Sequence, residues 1–159
     1  MMLNAHGGEA QMIIRDILNM KGGAIFSAPP DSRLAEAVGM MVKNDIGSLV
    51  VMEGGRMTGM LTFREVLKAL DAKGGNLANM RLRDIMVGDP VCGSPGDTLD
   101  EVREVMTKNH VRYLPVTEED RLLGVISFHD IAKAVIKETS FENRLLKRYI
   151  KSRPETDEQ

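Results

Sequence analysis

The chain of 159 residues contains the same pattern twice, at a fixed spacing. The segment GMLTFRE at residues 59–65 returns as GVISFHD at residues 124–130, within a match that runs for about forty residues without a gap. Upstream, RDIL at residues 15–18 is echoed by RDIM at residues 83–86, at a spacing three residues longer. A repeat of this length predicts two similar halves, so any site in one half has a counterpart in the other.

Each copy predicts a strand, a helix, two strands and a second helix. Apolar residues at helical spacing indicate the helices, and Gly, Pro and polar clusters indicate the turns. Asp31 or Ser32 is expected to cap the first helix of copy 1. Asp97 or Thr98 is expected to cap that of copy 2, where Glu101 is placed to complete a capping box.

The last two strands of each copy are predicted to form a hairpin. In copy 1 they flank Gly54-Gly55, a strong signal for a tight two-residue turn. The corresponding turn in copy 2 lacks glycine, which predicts a different turn type there. The predicted strands cover residues 24–26, 48–52 and 56–62 in copy 1, and residues 90–92, 112–117 and 122–127 in copy 2.

The last helix outruns its counterpart in copy 1. It is predicted from about residue 128 towards residue 151, with a break near residues 139–140 left open. The predicted organisation is a disordered lead (1–12), repeat 1 (13–73), a linker (74–80), repeat 2 (81–137), and a C-terminal helix and tail (138–159).

Composition limits the classes of function. A net charge of -2 argues against general nucleic-acid binding. The basic last helix leaves nucleic-acid binding open as an alternative to a solvated face whose apolar stripe packs on a partner chain. A single cysteine, Cys92, favours a reducing compartment, and we expect a cytoplasmic protein. No apolar stretch approaches the roughly 18 residues of a membrane-spanning helix, so no membrane association is expected.

Catalytic and metal-binding motifs are missing from the sequence. There is no C-x-x-C pair, no H-E-x-x-H run, no G-x-S-x-G elbow and no common phosphate loop. We therefore expect neither an enzyme nor a metal site.

A binding site is better supported than a catalytic one. Thr62 and Ser127 each end a predicted strand that passes directly into a helix, where free N–H groups and the helix dipole attract an anion such as phosphate. Glu65 and Asp130 follow three residues later, on the first helical turn, where a carboxylate can bond a vicinal diol such as ribose. Hydroxyl and acid together predict a nucleotide clamp, although the same residue types also serve as plain helix caps.

The combined pattern resembles a pair of CBS domains, the Bateman module, of the small stand-alone type. The resemblance rests on both repeated segments and on VRYLPV at residues 111–116, and it covers about residues 13–136. It implies an α/β (α+β) fold of two tandem β-α-β-β-α units packed about a pseudo-twofold axis, with an extended C-terminal helix. In this family the clefts between the units bind adenine nucleotides, and in some members S-adenosylmethionine.

The resemblance also implies which residues line the two clefts. The hydroxyl is expected to contact phosphate and the acid to contact ribose. Glu65 stands where the family has Asp, so we rank the Asp130 cleft above the Glu65 cleft for ribose recognition. The Asp130 cleft is predicted to be lined by Leu18, Gly23, Ala24, Ile46, Gly47, Ser127, His129 and Asp130. The Glu65 cleft is predicted to be lined by Thr62, Arg64, Glu65, Met86, Pro90, Val111 and Arg112.

The leading interpretation is a non-catalytic regulatory protein. It is expected to bind AMP, ADP, ATP, NAD or S-adenosylmethionine as a regulatory ligand, with no tightly bound cofactor. Its output is expected to pass through a homodimer or through a regulated enzyme or transporter. The first alternative is a ligand-free interaction or dimerisation module, and the second is nucleic-acid binding through the basic last helix.

Overall fold

The computed structural model describes residues 11–151, and both repeats have the same plan. Residues 1–10 of the predicted lead and 152–159 of the predicted tail lie outside the described residues. In repeat 1 the elements are α1 (Ile14–Lys21), β1 (Ser27–Ala28), α2 (Leu34–Lys43), β2 (Ser48–Glu53), β3 (Arg56–Thr62) and α3 (Phe63–Ala72). In repeat 2 they are α4 (Leu82–Ile85), α5 (Leu99–Lys108), β4 (Tyr113–Glu118), β5 (Arg121–Ser127) and α6 (Phe128–Lys151).

The strands form two small sheets whose equivalent strands meet. β1 pairs in parallel with β2, and β2 pairs antiparallel with β3; β4 and β5 form the antiparallel counterpart. β3 and β5 contact each other across the repeats, as packing about a pseudo-twofold axis requires. The predicted α/β (α+β) fold of two tandem units with a C-terminal helix is confirmed.

The first strand of each repeat is misplaced in the sequence prediction. β1 begins at Ser27 rather than within residues 24–26, and Ile25 and Phe26 are exposed. Residues 90–92 form no strand; instead Gly93 makes an isolated parallel bridge to Val116. Exposed apolar side chains in connecting segments carry the same residue signature as a short buried strand, so composition alone misplaced both elements.

The two hairpin turns share one conformation despite their different sequences. Gly54 and Gly55 have φ of 57° and 77°, and Glu119 and Asp120 have φ of 49° and 61°. The expectation of a different turn type in repeat 2 was therefore wrong. The right-handed twist of the strands selects a two-residue turn with positive φ at both positions, and repeat 2 adopts it with side chains that disfavour it.

Helix ends agree with the sequence in repeat 2 and differ in repeat 1. Thr98 caps α5, with Glu101 completing the predicted capping box. Neither Asp31 nor Ser32 caps α2, whose N-cap residue is Arg33 without a side-chain bond. The carboxylate of Asp31 instead accepts a 2.6 Å bond from Arg83. The last helix, α6, is continuous through residues 139–140, so the open possibility of a break is settled against it.

One helix of each repeat packs into the core of the other repeat. Ile14 and Ile17 of α1 are buried in the core of repeat 2, and Leu82 of α4 is buried in the core of repeat 1. Backbone bonds fix both crossings: Ile14 N–H donates to Asp97 O at 2.9 Å, and Leu82 N–H donates to Ser32 O at 3.1 Å. The C-terminal ends of α1 and α4 therefore lie beside the repeated segment (residues 124–130 or 59–65) of the other repeat.

Candidate functional site

The predicted hydroxyl and acid of repeat 2 lie together where β5 ends and α6 begins. Ser127 N–H donates to Asp130 Oδ2 at 2.8 Å, and Asp130 N–H donates to Ser127 Oγ at 3.1 Å. These reciprocal bonds form because an N-terminal helical turn has unpaired N–H groups that a hydroxyl and an acid three residues apart satisfy. The carboxylate is thereby held at the positive end of a 24-residue helix.

Lys21, at the end of α1, reaches this carboxylate from the other repeat. Its Nζ lies 2.8 Å from Asp130 Oδ2 and also donates to the carbonyl of Val125 at 3.0 Å. The side chain of Asp130 is 15% exposed and that of Lys21 is 40% exposed. Burial raises the pKa of Asp130, but bonds from Lys21 and Ser127 outweigh it, so its pKa lies below the ordinary 3.8. Asp130 is therefore ionised at neutral pH.

The other residues predicted for the Asp130 cleft differ in burial and in their positions in the fold. Leu18 packs on Gly124, where a Cβ would lie 2.8 Å from its Cδ2. Gly23 and Ala24 follow α1 in an exposed segment, and His129 is exposed on α6. Ile46 and Gly47 are half-buried at the start of β2.

Gly47 is required by a close contact between the repeats. A Cβ there would lie 1.9 Å from the Tyr113 hydroxyl, and Tyr113 is the cross-strand partner of Ser127. The structure thus links the Gly47 segment to the hairpin that bears Ser127, but shows no direct contact between Gly47 and either Ser127 or Asp130. The assignment of Gly23, Ala24, Ile46 and Gly47 to a ligand stays a prediction.

The acid of repeat 1 is engaged within its own helix cap. Glu65 Oε2 accepts a 2.9 Å bond from Thr62 N–H and a second, short bond from the Thr62 hydroxyl. Arg64 N–H donates to Thr62 Oγ1 at 3.3 Å, and the Arg64 guanidinium donates to the His110 carbonyl of repeat 2 at 3.4 Å. Arg64 therefore also makes a contact between the repeats, but it bonds a backbone carbonyl rather than the acid of the motif.

Two of the remaining residues predicted for the Glu65 cleft lie beside Gly59 and Phe63, and two do not. Met86 packs on Gly59, and the Arg112 guanidinium lies 5.6 Å from the centre of the Phe63 ring. Val111 packs against the core of repeat 2. Pro90 is half-buried, and its carbonyl accepts from the Cys92 thiol at 3.3 Å. Its role also stays a prediction.

Lys21 is the residue that sequence reasoning missed. When RDIL at residues 15–18 is aligned with RDIM at residues 83–86, Lys21 corresponds to Asp89. Comparison of the two copies therefore did not indicate Lys21 as a site residue. Position alone offered a signal, because Lys21 directly precedes Gly22-Gly23, where the copies differ in length.

Other kinds of site find little support in the structure. A cavity of about 570 Å³ lies by the linker rather than in either cleft, and it is lined by Lys73, Asn76, Asn79, Met80 and Asp84. Over residues 11–151, no group of three His, Cys, Asp or Glu side chains is arranged to hold a metal ion. Within the same residues, no helix combines the length and apolarity needed to cross a membrane.

Comparison with known proteins identifies the family. The model of the CBS domain matches residues 14–72 and again residues 82–137. The chain therefore belongs to the CBS domain family and carries two such domains in tandem, which confirms the resemblance read from the sequence.

Relatives extend over most of the chain. The CBS domain-containing protein CBSX3, mitochondrial, of Arabidopsis thaliana is 27% identical over 146 residues, covering 86% of this chain and 71% of its own. The crystal structure of the CBS-domain protein ATU1752 from Agrobacterium tumefaciens is 31% identical with a TM-score of 0.74, covering 77% of this chain and 98% of that one. The CBS domain pair of protein MJ0100, solved with 5′-methylthioadenosine and S-adenosyl-L-methionine, shares the fold at 22% identity and a TM-score of 0.71, covering 80% of this chain and 98% of that one.

Proposed function

We propose that this CBS pair is a non-catalytic regulatory protein that binds an adenosine-type ligand between its repeats. The ligands considered are AMP, ADP and ATP, with NAD and S-adenosylmethionine as further members of the class. The observation that carries the proposal is Asp130, an ionised and largely buried carboxylate at the start of α6 that faces a side chain of the other repeat. A carboxylate that only capped its own helix would not require this contact with Lys21 of the other repeat.

The chemistry of the Asp130 cleft matches both polar parts of a nucleotide. Both bonds that Asp130 accepts go to Oδ2, which leaves Oδ1 as an acceptor for a ribose hydroxyl. Ser127 and the N-terminus of α6 supply the donors and the positive dipole end that bind phosphate. The fold is compatible with this class, since the MJ0100 pair of the same fold was solved with two adenosine compounds.

The Glu65 cleft is the weaker of the two proposed sites. Both bonds that Thr62 donates end on Glu65 Oε2, so the acid is already engaged by its own cap. Arg64 and Arg112 keep this cleft attractive to a phosphate. We therefore expect its contribution to ribose recognition to be smaller than that of Asp130.

Transmission of the signal is proposed to run through the exposed part of α6. Between residues 136 and 150 this helix exposes several large apolar side chains, which suit a homodimer contact or a regulated enzyme or transporter. The same segment supports a second candidate, a ligand-free dimerisation module in which Ser127 and Asp130 only cap α6. The exposed side chains are Ile136, Phe141, Leu145, Leu146 and Ile150.

A thermal-shift screen with matched capping variants separates the two candidates. The ligands are AMP, ADP, ATP, NAD and S-adenosylmethionine, with GTP as the control. A ligand at 100 times its dissociation constant should add about 2.7 kcal/mol to the free energy of unfolding. Asp130→Ala should abolish this gain, because it removes the ribose acceptor.

Glu101→Ala is the matched control for that variant. Thr98 and Glu101 form a capping box on α5 with the same bonds but outside both clefts. Each substitution removes the acid of a capping box and is expected to lower the stability somewhat, but only Asp130→Ala should remove the ligand effect. Equal ligand shifts in the two variants, or no shift with any adenosine compound at millimolar concentration, would contradict the proposal and favour the dimerisation module.

A further inference from the structure

We propose that Lys21 selects which adenosine ligands enter the Asp130 cleft, favouring those that carry a phosphate over neutral or cationic ones. The inference rests on the proposed function and sharpens it to a ligand class. Its basis is the position of Lys21 Nζ, 2.8 Å from Asp130 Oδ2 and 3.0 Å from the Val125 carbonyl.

Lys21 competes for the atom that a ribose diol needs. Two vicinal hydroxyls bond a carboxylate through both of its oxygens, and each oxygen has two lone-pair sites. Those of Asp130 Oδ2 are taken by Ser127 N–H and by Lys21. Since the Ser127 bond belongs to the cap of α6, the bond from Lys21 is the one that a ribose must replace.

The displaced ammonium stays beside the ligand. An ammonium has three N–H donors, and Lys21 keeps one of them on the Val125 carbonyl of β5 when it releases Asp130. Ser127, the expected phosphate contact, lies two residues further along the same strand. A cation therefore remains next to the place where the 5′ group of the ligand is expected.

This arrangement separates ligands by their charge. A phosphate replaces the carboxylate as the partner of Lys21, so the charge-assisted bond is conserved when AMP binds. Adenosine offers no anion, and its binding leaves a half-buried ammonium without its carboxylate. S-adenosylmethionine brings a sulfonium cation towards that ammonium, although its own carboxylate offsets part of the repulsion.

The other cleft lacks this device. On the corresponding edge of β3, Met60 exchanges two backbone bonds with Val87, at 2.9 and 3.0 Å, and no lysine intervenes. Position 89, which aligns with Lys21, is an aspartate. This exchange of partners by a lysine is therefore expected at the Asp130 cleft alone, and any attraction of the Glu65 cleft for phosphate comes from Arg64 and Arg112.

Isothermal titration of the full chain with AMP, adenosine and S-adenosylmethionine tests the role of Lys21. The wild type should bind AMP at least about tenfold more tightly than adenosine, the difference typical of one charge-assisted contact. Lys21→Met, which keeps the length of the side chain, should weaken AMP binding by about tenfold and tighten adenosine binding by a few-fold, since the competitor is gone. Lys21→Arg should retain the preference for AMP.

A control and a second neutral variant keep the test specific. Lys137→Met removes a neighbouring lysine whose Nζ lies 3.9 Å from the Met20 sulfur and makes no bond to Asp130; it should leave both affinities unchanged. Lys21→Gln serves as a second neutral variant if Lys21→Met unfolds.

The outcomes distinguish failure of this inference from failure of the proposed function. If AMP binds but Lys21→Met changes the AMP and adenosine affinities by the same factor, Lys21 has only a structural role and the selection is refuted. If none of the three compounds binds the wild type or Lys21→Met, and ADP, ATP and NAD also give no shift in the thermal-shift screen, the proposed function itself is refuted and the selection with it.

Discussion

The starts of α3 and α6 have the same motif in the same place, yet their acids do different things. Glu65 accepts both of its bonds from Thr62, within one helix cap. Asp130 accepts one bond from Ser127 and another from Lys21 of the other repeat. The longer arm of Glu65 folds back onto its own cap, whereas the shorter arm of Asp130 leaves the carboxylate facing across the cleft.

The strand edges beside the two hydroxyl–acid pairs also differ. At β3 the backbone of Val87 pairs with Met60 through two hydrogen bonds. At β5 the equivalent carbonyl, that of Val125, accepts from the side chain of Lys21. A backbone pair is fixed, but a lysine side chain can exchange partners. We therefore expect the β3 edge to be the more rigid of the two and the β5 edge to be the more responsive.

The largest difference is expected between Gly59→Ala and Gly124→Ala. A Cβ at Gly59 would lie 2.8 Å from the Val87 carbonyl, so the backbone pair with Met60 must move. A Cβ at Gly124 would lie 2.8 Å from Leu18 Cδ2, the end of a side chain that can change rotamer. We expect Gly59→Ala to cost about 3 kcal/mol and Gly124→Ala about 1 kcal/mol.

Urea denaturation of the two glycine variants beside the wild type measures these costs. Equal destabilisation would mean that the β3 edge yields as readily as the β5 edge, and the contrast between a rigid and a responsive cleft would be lost.

A smaller effect is expected from the pH dependence of the Lys21–Asp130 pair. The folded-state pKa of Asp130 is depressed, so the pair stabilises the fold above the ordinary pKa of 3.8, and this contribution is lost as pH falls through the folded pKa. Lys21→Met should therefore lower the free energy of unfolding at neutral pH, by up to about 1 kcal/mol for a partly exposed pair. The difference from wild type should shrink as the pH falls below 3.8 and through the lower folded-state pKa of Asp130.

Chemical denaturation of wild type, Lys21→Met and Lys137→Met across this pH range provides the measurement. Lys137→Met should follow the wild type at every pH. A deficit for Lys21→Met that is the same at neutral and acid pH would show that the ion pair contributes nothing and that lost packing explains the change.

The sequence predicted several local elements and missed contacts between distant segments. The two hairpins, the two hydroxyl–acid pairs and the Thr98–Glu101 cap are local patterns, and all are confirmed as structural elements. The exchange of α1 and α4 between the cores was not predicted, because a contact between distant segments leaves no periodic signal. Lys21 escaped for the same reason: its partner Asp130 is 109 positions away, and the copies do not share it.

The turn of the second hairpin shows a further limit of pattern reasoning. It contains no glycine, yet pairing of Glu118 with Arg121 places Glu119 and Asp120 in the left-handed region, as the glycines are in repeat 1. Strand pairing thus overrides the local preference of these residues, and their positive φ values lower the stability of the fold.

The smallest expected effect comes from removing the unfavourable positive φ of the aspartate in this turn. Asp120 has φ of 61° on an exposed turn, and glycine adopts this conformation without a Cβ penalty. Asp120→Gly should therefore raise the free energy of unfolding by about 0.5 kcal/mol, less than the full left-handed penalty because aspartate tolerates this region and glycine gains entropy when unfolded. The matched change in repeat 1, Gly55→Ala, should lower it by about 1 kcal/mol, since φ there is 77°. Melting temperatures of both variants test the pair, and a destabilised Asp120→Gly would mean that the aspartate side chain supports the turn in a way that the shared backbone conformation does not explain.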